Sequence, residues 1–494
     1  MAGHEPPSTL TWVASDRPIA RGVAQPIRRF LGVEAAGGLL LILATVIALV
    51  WANSPWKDSY HDLWETRVTF EIDGLYSLEE HGVEGDEHAD EAAASDEAHD
   101  ADESLAAEEP HDEEGSHSEE GSHGISLEAL VNDALMVIFF FVVGLEIKRE
   151  LVDGYLVDRR AAALPAMAAI GGMVVPALVF FAFNTSGAAA DGWGIPMATD
   201  IAFAVGVLSL LGNRVPSSLK VFLLTLAIVD DIGAILVIAI FYSSGLSFGW
   251  LAFAIAIVAV IMTMRQVRIW FVPAYVVAGC VLWLAVFESG VHATIAGVVL
   301  GLITPARPLQ ASAPEEIYAP ITSDGKSSPA DVRRAVFYSK ESVSVAERLE
   351  SAIHPYSSYV IIPIFALANA GIELSGEALS DAATSPLTLG VVFGLVLGKL
   401  VGVTAFTYVA ARMNLSPLPA GTTMRHIVGV AAVAGIGFTV SLFITGLAFE
   451  DAGLQDEAKI GILVASALAA IIGMLVLRGV DPVDETLDDA VEAQ

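Results

Sequence analysis

The chain has 494 residues, of which 54% are hydrophobic and only 17% charged, with a formal net charge of −33. That apolar excess excludes an ordinary soluble domain, and the acidity gives no reason to expect a nucleic-acid partner, which would be held by clustered lysine and arginine. The single cysteine, Cys280, excludes an internal disulfide framework.

A polar segment, 1–30, carries Arg17, Arg21, Arg28 and Arg29. No small-residue cleavage site follows a short apolar core, so the first apolar stretch is expected to stay as a helix. From there the apolar residues gather into stretches long enough for a helix to cross ~30 Å of hydrocarbon. Twelve are expected: 31–51, 131–150, 161–183, 195–212, 219–242, 248–264, 269–287, 289–304, 355–371, 387–411, 426–447 and 457–477. The fold class is therefore an all-α integral membrane protein of about twelve transmembrane helices.

With the N-terminus inside, twelve crossings leave twenty-one lysines and arginines in inner segments and only Lys57, Arg67 and Lys459 outside, with Lys399 within a span. One missed crossing would invert every later loop, so this agreement with the positive-inside rule supports the count. Both termini are then cytoplasmic. The membrane domain divides into 31–304 and 345–478, joined by a cytoplasmic loop, 305–344, and ends in an acidic cytoplasmic tail, 479–494; the connection 305–350 is expected to contain a short amphipathic helix around 339–353.

Residues 78–125 form an outer, periplasmic insertion. Its core, 79–120, holds nineteen Asp and Glu and no Lys or Arg, and without them the net charge is −14. Such a composition favours a solvated spacer. Its histidines (His81, His88, His99, His111, His117 and His123) lack the close pairs of a folded transition-metal site. Neither loop has the make-up of an enzyme domain, and neither an enzymatic activity nor a bound cofactor is expected.

Four charged residues stand in the middle of apolar spans: Asp200, the adjacent Asp230 and Asp231, and Lys399. On insertion scales each costs ~2.5–3.5 kcal/mol at a helix centre, so together they cost on the order of 10–14 kcal/mol before pairing. One ion pair fixing helix positions would account for one Asp and Lys399 but leaves two carboxylates over. A functional ion or proton site accounts for all four. Asp230 and Asp231 point ~100° apart on a helix, so one can face Lys399 while the other joins Asp200 in a carboxylate cavity. Carboxylates suit a small hard cation, and Thr199 offers another oxygen. Gly435 and Gly437 beside Thr439 and Ser441, and the polar residues around Thr199, mark two spans as interrupted at mid-membrane. Paired interruptions in two halves point to a transporter site, although glycine in a span also serves close helix packing.

The segments FFFVVGLEIKREL (139–151), ATDIAFAVGVLSLLG (198–212), LAIVDDIGAI (226–235), SGVHATIAG (289–297), FALANAGI (365–372) and GIGFTVSLFI (435–444) resemble the NhaA family of bacterial sodium/proton antiporters. That family is a standing example of inverted repeats. The resemblance implies a secondary antiporter of the bacterial inner membrane that exports Na+ and Li+ in exchange for H+, electrogenically and with activation at alkaline pH. It implies Asp231 as the principal sodium ligand with Asp200 as second acid, Thr199 beside it, and Lys399 paired with Asp230. It adds Asp133 as an accessory residue, a cytoplasmic pH-sensing group of Glu146, Arg149, Glu150, Glu350 and His354, a further pH-influencing histidine at His292, and a homodimer.

Three departures stand out: Leu400 follows Lys399 where a proline is expected, the 78–125 insertion replaces a short connection used in dimer contact, and the loop at 305–350 is longer. Other classes remain open on residues alone. An intramembrane aspartyl protease needs two aspartates on separate helices around one water, which adjacent Asp230 and Asp231 with a lysine fit poorly. A sodium-coupled symporter needs an organic-solute pocket, and a passive channel favours acidic rings over a buried lysine.

Overall fold

A chain inside hydrocarbon must satisfy its backbone N–H and C=O groups internally, and helices do this segment by segment. The computed structural model describes residues 36–68, 71–72, 76–77, 125–243, 245–267, 272–307, 329, 333 and 342–480. The segment 1–30, nearly all of the 78–125 insertion, most of the 305–344 loop and nearly all of the tail 479–494 lie outside the described residues.

Helix α1 (Ala36–Ala52) is followed, after a 113° bend, by the short α2 (Lys57–Glu65). Two-residue strands β1 (Arg67–Val68), β2 (Glu71–Ile72), β3 (Tyr76–Ser77) and β4 (Ile125–Ser126) pair antiparallel as β1–β4 and β2–β3, with Arg67 opposite Ser126. Next come α3 (Leu127–Val152), α4 (Arg159–Phe183), the 3₁₀ segment α5 (Ala188–Met197) and α6 (Ile201–Ser209). They are followed by α7 (Ser217–Phe241), α8 (Phe248–Gln266), α9 (Val272–Phe287) and α10 (Thr294–Ile303). The last group is α11 (Val345–Asn369), α12 (Gly376–Thr384), α13 (Pro386–Arg412), α14 (Met424–Val433), α15 (Phe438–Ala448) and α16 (Ala452–Arg478).

Every one of the twelve expected apolar stretches carries a helix. Seven are single helices long enough to cross, while α5 with α6 and α14 with α15 are spans broken by bends of 43° and 47°. Two boundaries differ from the sequence expectation. The amphipathic helix near 339–353 and the span 355–371 are one run, α11, started where the Ser344 hydroxyl accepts the Glu347 N–H at 3.1 Å. The run contains Pro355, which has no N–H to give to the ladder, and continues through a π-helical turn, Ser357–Ile361. The span 289–304 shrinks to the ten residues of α10, because a turn with Gly290 at φ 75° precedes it, a conformation that suits glycine alone.

By the span count α4 is the third crossing and α13 the tenth, so they run in opposite directions. Each opens the same series of continuous, broken and continuous helix, α4–α5/α6–α7 and α13–α14/α15–α16. Glycine sets how closely they meet. A Cβ on Gly171 would strike the carbonyl of Gly402, and a Cβ on Gly402 would strike that of Gly171. Gly144 of α3 makes a similar approach to Val298 and Gly301 of α10. Lipid tails offer little drive for helix association, so such backbone contact carries much of the packing. Outward side chains such as Val50, Phe248, Ile255 and Leu475 are large, apolar and exposed, the surface a bilayer covers.

Overpacking in a tight site costs ~1–3 kcal/mol or more. Gly402→Leu is therefore expected to lower the thermal aggregation temperature of the detergent-solubilised protein by several degrees. Gly249→Ala in α8, where nothing lies within 4 Å of the added carbon, is expected to leave it unchanged. Equal losses in both would show that the α4–α13 contact is not what glycine protects.

Candidate cation and proton site

The two broken spans cross, and each completes the other's backbone. Asp200 donates its N–H to the Ile436 carbonyl at 2.7 Å, inside the break between α14 and α15. The Ser441 hydroxyl donates to the Ile195 carbonyl at 2.8 Å. Breaking a helix in hydrocarbon frees backbone groups that need partners, and here the partners come from the opposite break.

Asp200 closes the crossing. One oxygen, Oδ1, accepts the Phe203 N–H at 2.9 Å and caps α6. The other, Oδ2, accepts the Thr439 N–H at 3.0 Å and the Thr439 hydroxyl at 2.6 Å, in the first turn of α15. A single buried carboxylate thus meets the positive ends of two half-helices, which favour negative charge.

Helix α7 supplies Asp230 and Asp231, both buried. Asp230 Oδ2 pairs with the Lys399 ammonium and accepts the Thr199 hydroxyl at 2.8 Å, while Asp230 Oδ1 has no hydrogen-bond partner among the described residues. Lys399 is fully buried and also donates to Thr199 Oγ1 at 3.0 Å. It stands on α13 directly after a π-helical turn, Gly394–Gly398. Gly394 packs on Pro196 and Gly398 on Pro176, so this turn and the glycines bring the lysine inward without a proline at Leu400. Among the described residues no donor reaches the Asp231 carboxylate, and the charges that act on it belong to Asp230, Glu146, Lys399 and Asp200. Asp200 and Asp231 therefore sit within electrostatic range without touching through a shared hydrogen bond.

The other sequence candidates fall in three places. Asp133 lies in a π-helical turn of α3, Val131–Leu135, where its carbonyl accepts the Trp283 indole N–H at 3.3 Å. Glu146, Arg149, Glu150, Glu350 and His354 come together where α3 meets α11. Arg149 Nη1 binds Glu350 Oε1 at 2.5 Å, Glu150 lies 4.0 Å from Arg149 and accepts the Tyr155 N–H, and the Arg149 charge reaches both Glu146 and His354. His292 is at the opposite end of the spans, its Nε2 2.6 Å from the Tyr242 carbonyl. Burial lowers the His292 pKa below the ordinary histidine value, with the bond to Tyr242 opposing that shift, so the ring is neutral at alkaline pH and protonation on acidification works against the fold.

One pair escaped the sequence reading. Asn369 Nδ2 donates to Asn132 Oδ1 at 2.8 Å while Asn132 Nδ2 donates back to Asn369 Oδ1 at 3.2 Å, a reciprocal amide clasp between α11 and α3. Its sequence signal was an asparagine in each of two membrane spans, Asn132 beside Asp133 and Asn369 in FALANAGI.

Crossed half-helices around buried carboxylates and one buried lysine define a secondary ion transporter of the membrane. A family model described as Na+/H+ antiporter 1 matches residues 28–84 and 111–477, and the chain belongs to that family. It is 44% identical over 92% of its length to Na(+)/H(+) antiporter NhaA 3 of Frankia alni, covering 89% of that protein. It is 42% identical to Na(+)/H(+) antiporter NhaA of Oleidesulfovibrio alaskensis, over 94% of this chain and 96% of the relative. The corresponding protein of Rhodopirellula baltica is 42% identical over 93% and 94%.

Removing one partner of a buried ion pair strands the other charge, at a cost of ~3–5 kcal/mol, whereas removing both is far milder. Asp230→Asn and Lys399→Met are each expected to depress thermal stability strongly, and the double variant less than the sum of the two. Additive losses in thermal unfolding would separate the two residues energetically.

Proposed function

We propose that this protein is a multi-pass bacterial inner-membrane antiporter that exports Na+, and Li+, in exchange for protons, in the service of sodium and pH homeostasis. The observation that carries this reading is the buried set of Asp231, Asp200, Asp230, Thr199 and Lys399 around two crossed helix breaks. Hard oxygen ligands and helix ends of that kind suit a small dehydrated cation. Asp231, which no donor among the described residues reaches, takes the cation together with Asp200. Asp230 and Lys399, a buried ion pair that shares the Thr199 hydroxyl, carry the second proton. Family membership supports exchange over symport or proteolysis. Cytoplasmic termini rest on the lysine and arginine distribution, and homodimerisation and activation at alkaline pH on the family likeness. The Arg149–Glu350 cluster is assigned to pH sensing, with His292 a second influence from the far end.

In everted membrane vesicles with a respiration-generated pH gradient, Na+ and Li+ are expected to dissipate the gradient and K+ to do so weakly. Asp231→Asn, present in the membrane at normal abundance, is expected to lose this response by at least ~100-fold, because a charge that binds the transported ion is gone. Similar dissipation by all three ions, or near-normal turnover in that variant, would defeat the assignment.

Charge movement gives a separate test. One sodium exchanged for two protons moves one net charge per cycle, and the membrane potential contributes ~2.3 kcal/mol per charge per 100 mV. If the second proton is that of the Asp230–Lys399 pair, Asp230→Asn with Lys399→Gln is expected to exchange sodium without net current, wherever it still transports. Simultaneous current and pH recordings in proteoliposomes decide this, and full electrogenic exchange would place the second proton on other groups.

A further inference from the structure

Asp200 is fully engaged in this conformation. Its Oδ1 accepts the Phe203 N–H, its Oδ2 accepts both the N–H and the hydroxyl of Thr439, and the Ala202 N–H also acts on the carboxylate. Both side chains are buried, at 2% exposure for Asp200 and 4% for Thr439. A carboxylate oxygen offers about two lone-pair directions, so Oδ2 has none left for a cation. The N–H donors are fixed in half-helices and can withdraw only if a helix moves. The Thr439 hydroxyl is the exception, because it turns about its own Cα–Cβ bond.

We propose that Thr439 is a positioning residue that competes with the transported cation for Asp200: its hydroxyl latches Oδ2 while the site is empty of cation and must swing off before Asp200 can complete a cation's oxygen shell. The Thr439 N–H keeps Asp200 joined to α15 when the hydroxyl leaves, so Oδ2 opens to the ion without parting the two half-helices. Among the described residues no other hydroxyl reaches Asp200. Thr199 is held by Lys399, Asp230 and the Ala434 carbonyl, and the Ser441 hydroxyl is committed to Ile195. This inference rests on Asp200 being a cation ligand.

The test measures exchange against Na+ concentration in proteoliposomes for the wild type, Thr439→Val, Thr439→Ser and Asp200→Asn, with thermal stabilisation by NaCl over choline chloride as a binding readout. A hydrogen bond to a charged acceptor opposes the cation in the wild type, so Thr439→Val is expected to lower the apparent KM for Na+ by roughly threefold to tenfold. It is also expected to enlarge the NaCl-dependent stabilisation and to slow turnover as release becomes harder. Thr439→Ser keeps the hydroxyl and is expected to restore the wild-type KM. Thr439→Ala carries the same expectation as valine and serves if valine does not insert. A role in folding alone would lower yield and turnover with KM unchanged, and that result overturns the proposal. So does a raised KM, which would make the hydroxyl a ligand and not a competitor, or a serine variant that behaves like valine. Asp200→Asn with wild-type KM and turnover would instead remove Asp200 from the cation site, and absence of Na+-dependent exchange in the wild type would defeat the functional reading itself.

Discussion

Charge in hydrocarbon is the constraint to which the rest of this structure answers. Four ionisable side chains at mid-membrane would cost on the order of 10 kcal/mol unpaired. The protein offsets that cost in two ways, with a lysine for one carboxylate and with helix ends for another. Asp230 takes Lys399. Asp200 takes the N-terminal turns of α6 and α15. The second solution explains why two spans are broken at all: an intact helix shows its N–H groups only at the membrane surface, and a break moves them to the middle. Each break in turn exposes carbonyls, and the crossing answers these with Asp200 N–H and the Ser441 hydroxyl from the other span.

Bringing these elements together depends on the absence of side chains elsewhere. The α4–α13 contact is backbone against backbone at Gly171 and Gly402, and Gly172 lies beside the Lys399 side chain. The π-helical turn before Lys399 has a related effect. It inserts extra rotation into α13 just ahead of the lysine, so the side chain is directed inward by helix winding. With Leu400 after the lysine, where the sequence resemblance leads to an expected proline, the turn and the glycine contacts supply the irregularity.

Much of this was legible in the residues, for reasons that differ from place to place. The spans were, because apolar length is a strong one-dimensional signal and the lysine and arginine asymmetry fixes its phase. Asp200, Asp230, Asp231 and Lys399 were visible because charge in an apolar run has few innocent explanations. The pairing of Asp230 with Lys399 was not decided by spacing, since both aspartates lie on one helix and the lysine is 169 positions from Asp230. The Asn132–Asn369 clasp was hidden for a similar reason: each amide is unremarkable until the partner 237 residues away is placed. The union of the 339–353 helix with α11 was missed because a proline normally ends a helix, and the π-helical turn that carries the chain past it leaves no mark in composition.

Thr199 shows why proton state and helix arrangement cannot be independent here. Its hydroxyl accepts from Lys399 and faces two acceptors, Asp230 Oδ2 at 2.8 Å and the Ala434 carbonyl at 3.0 Å. A hydroxyl has one hydrogen. When Asp230 is a carboxylate it is the stronger acceptor, as charge-assisted bonds are, and the Ala434 carbonyl loses that donor. When a proton resides on Asp230 the charge is gone, and the hydrogen is better placed on Ala434, inside the break of the second span. If the Asp230–Lys399 pair carries a proton as proposed, each gain or loss of it is felt one bond later by the backbone that forms the crossing. An exchanger requires that kind of connection, because a proton that left the conformation of its site unchanged could not be traded for an ion bound elsewhere.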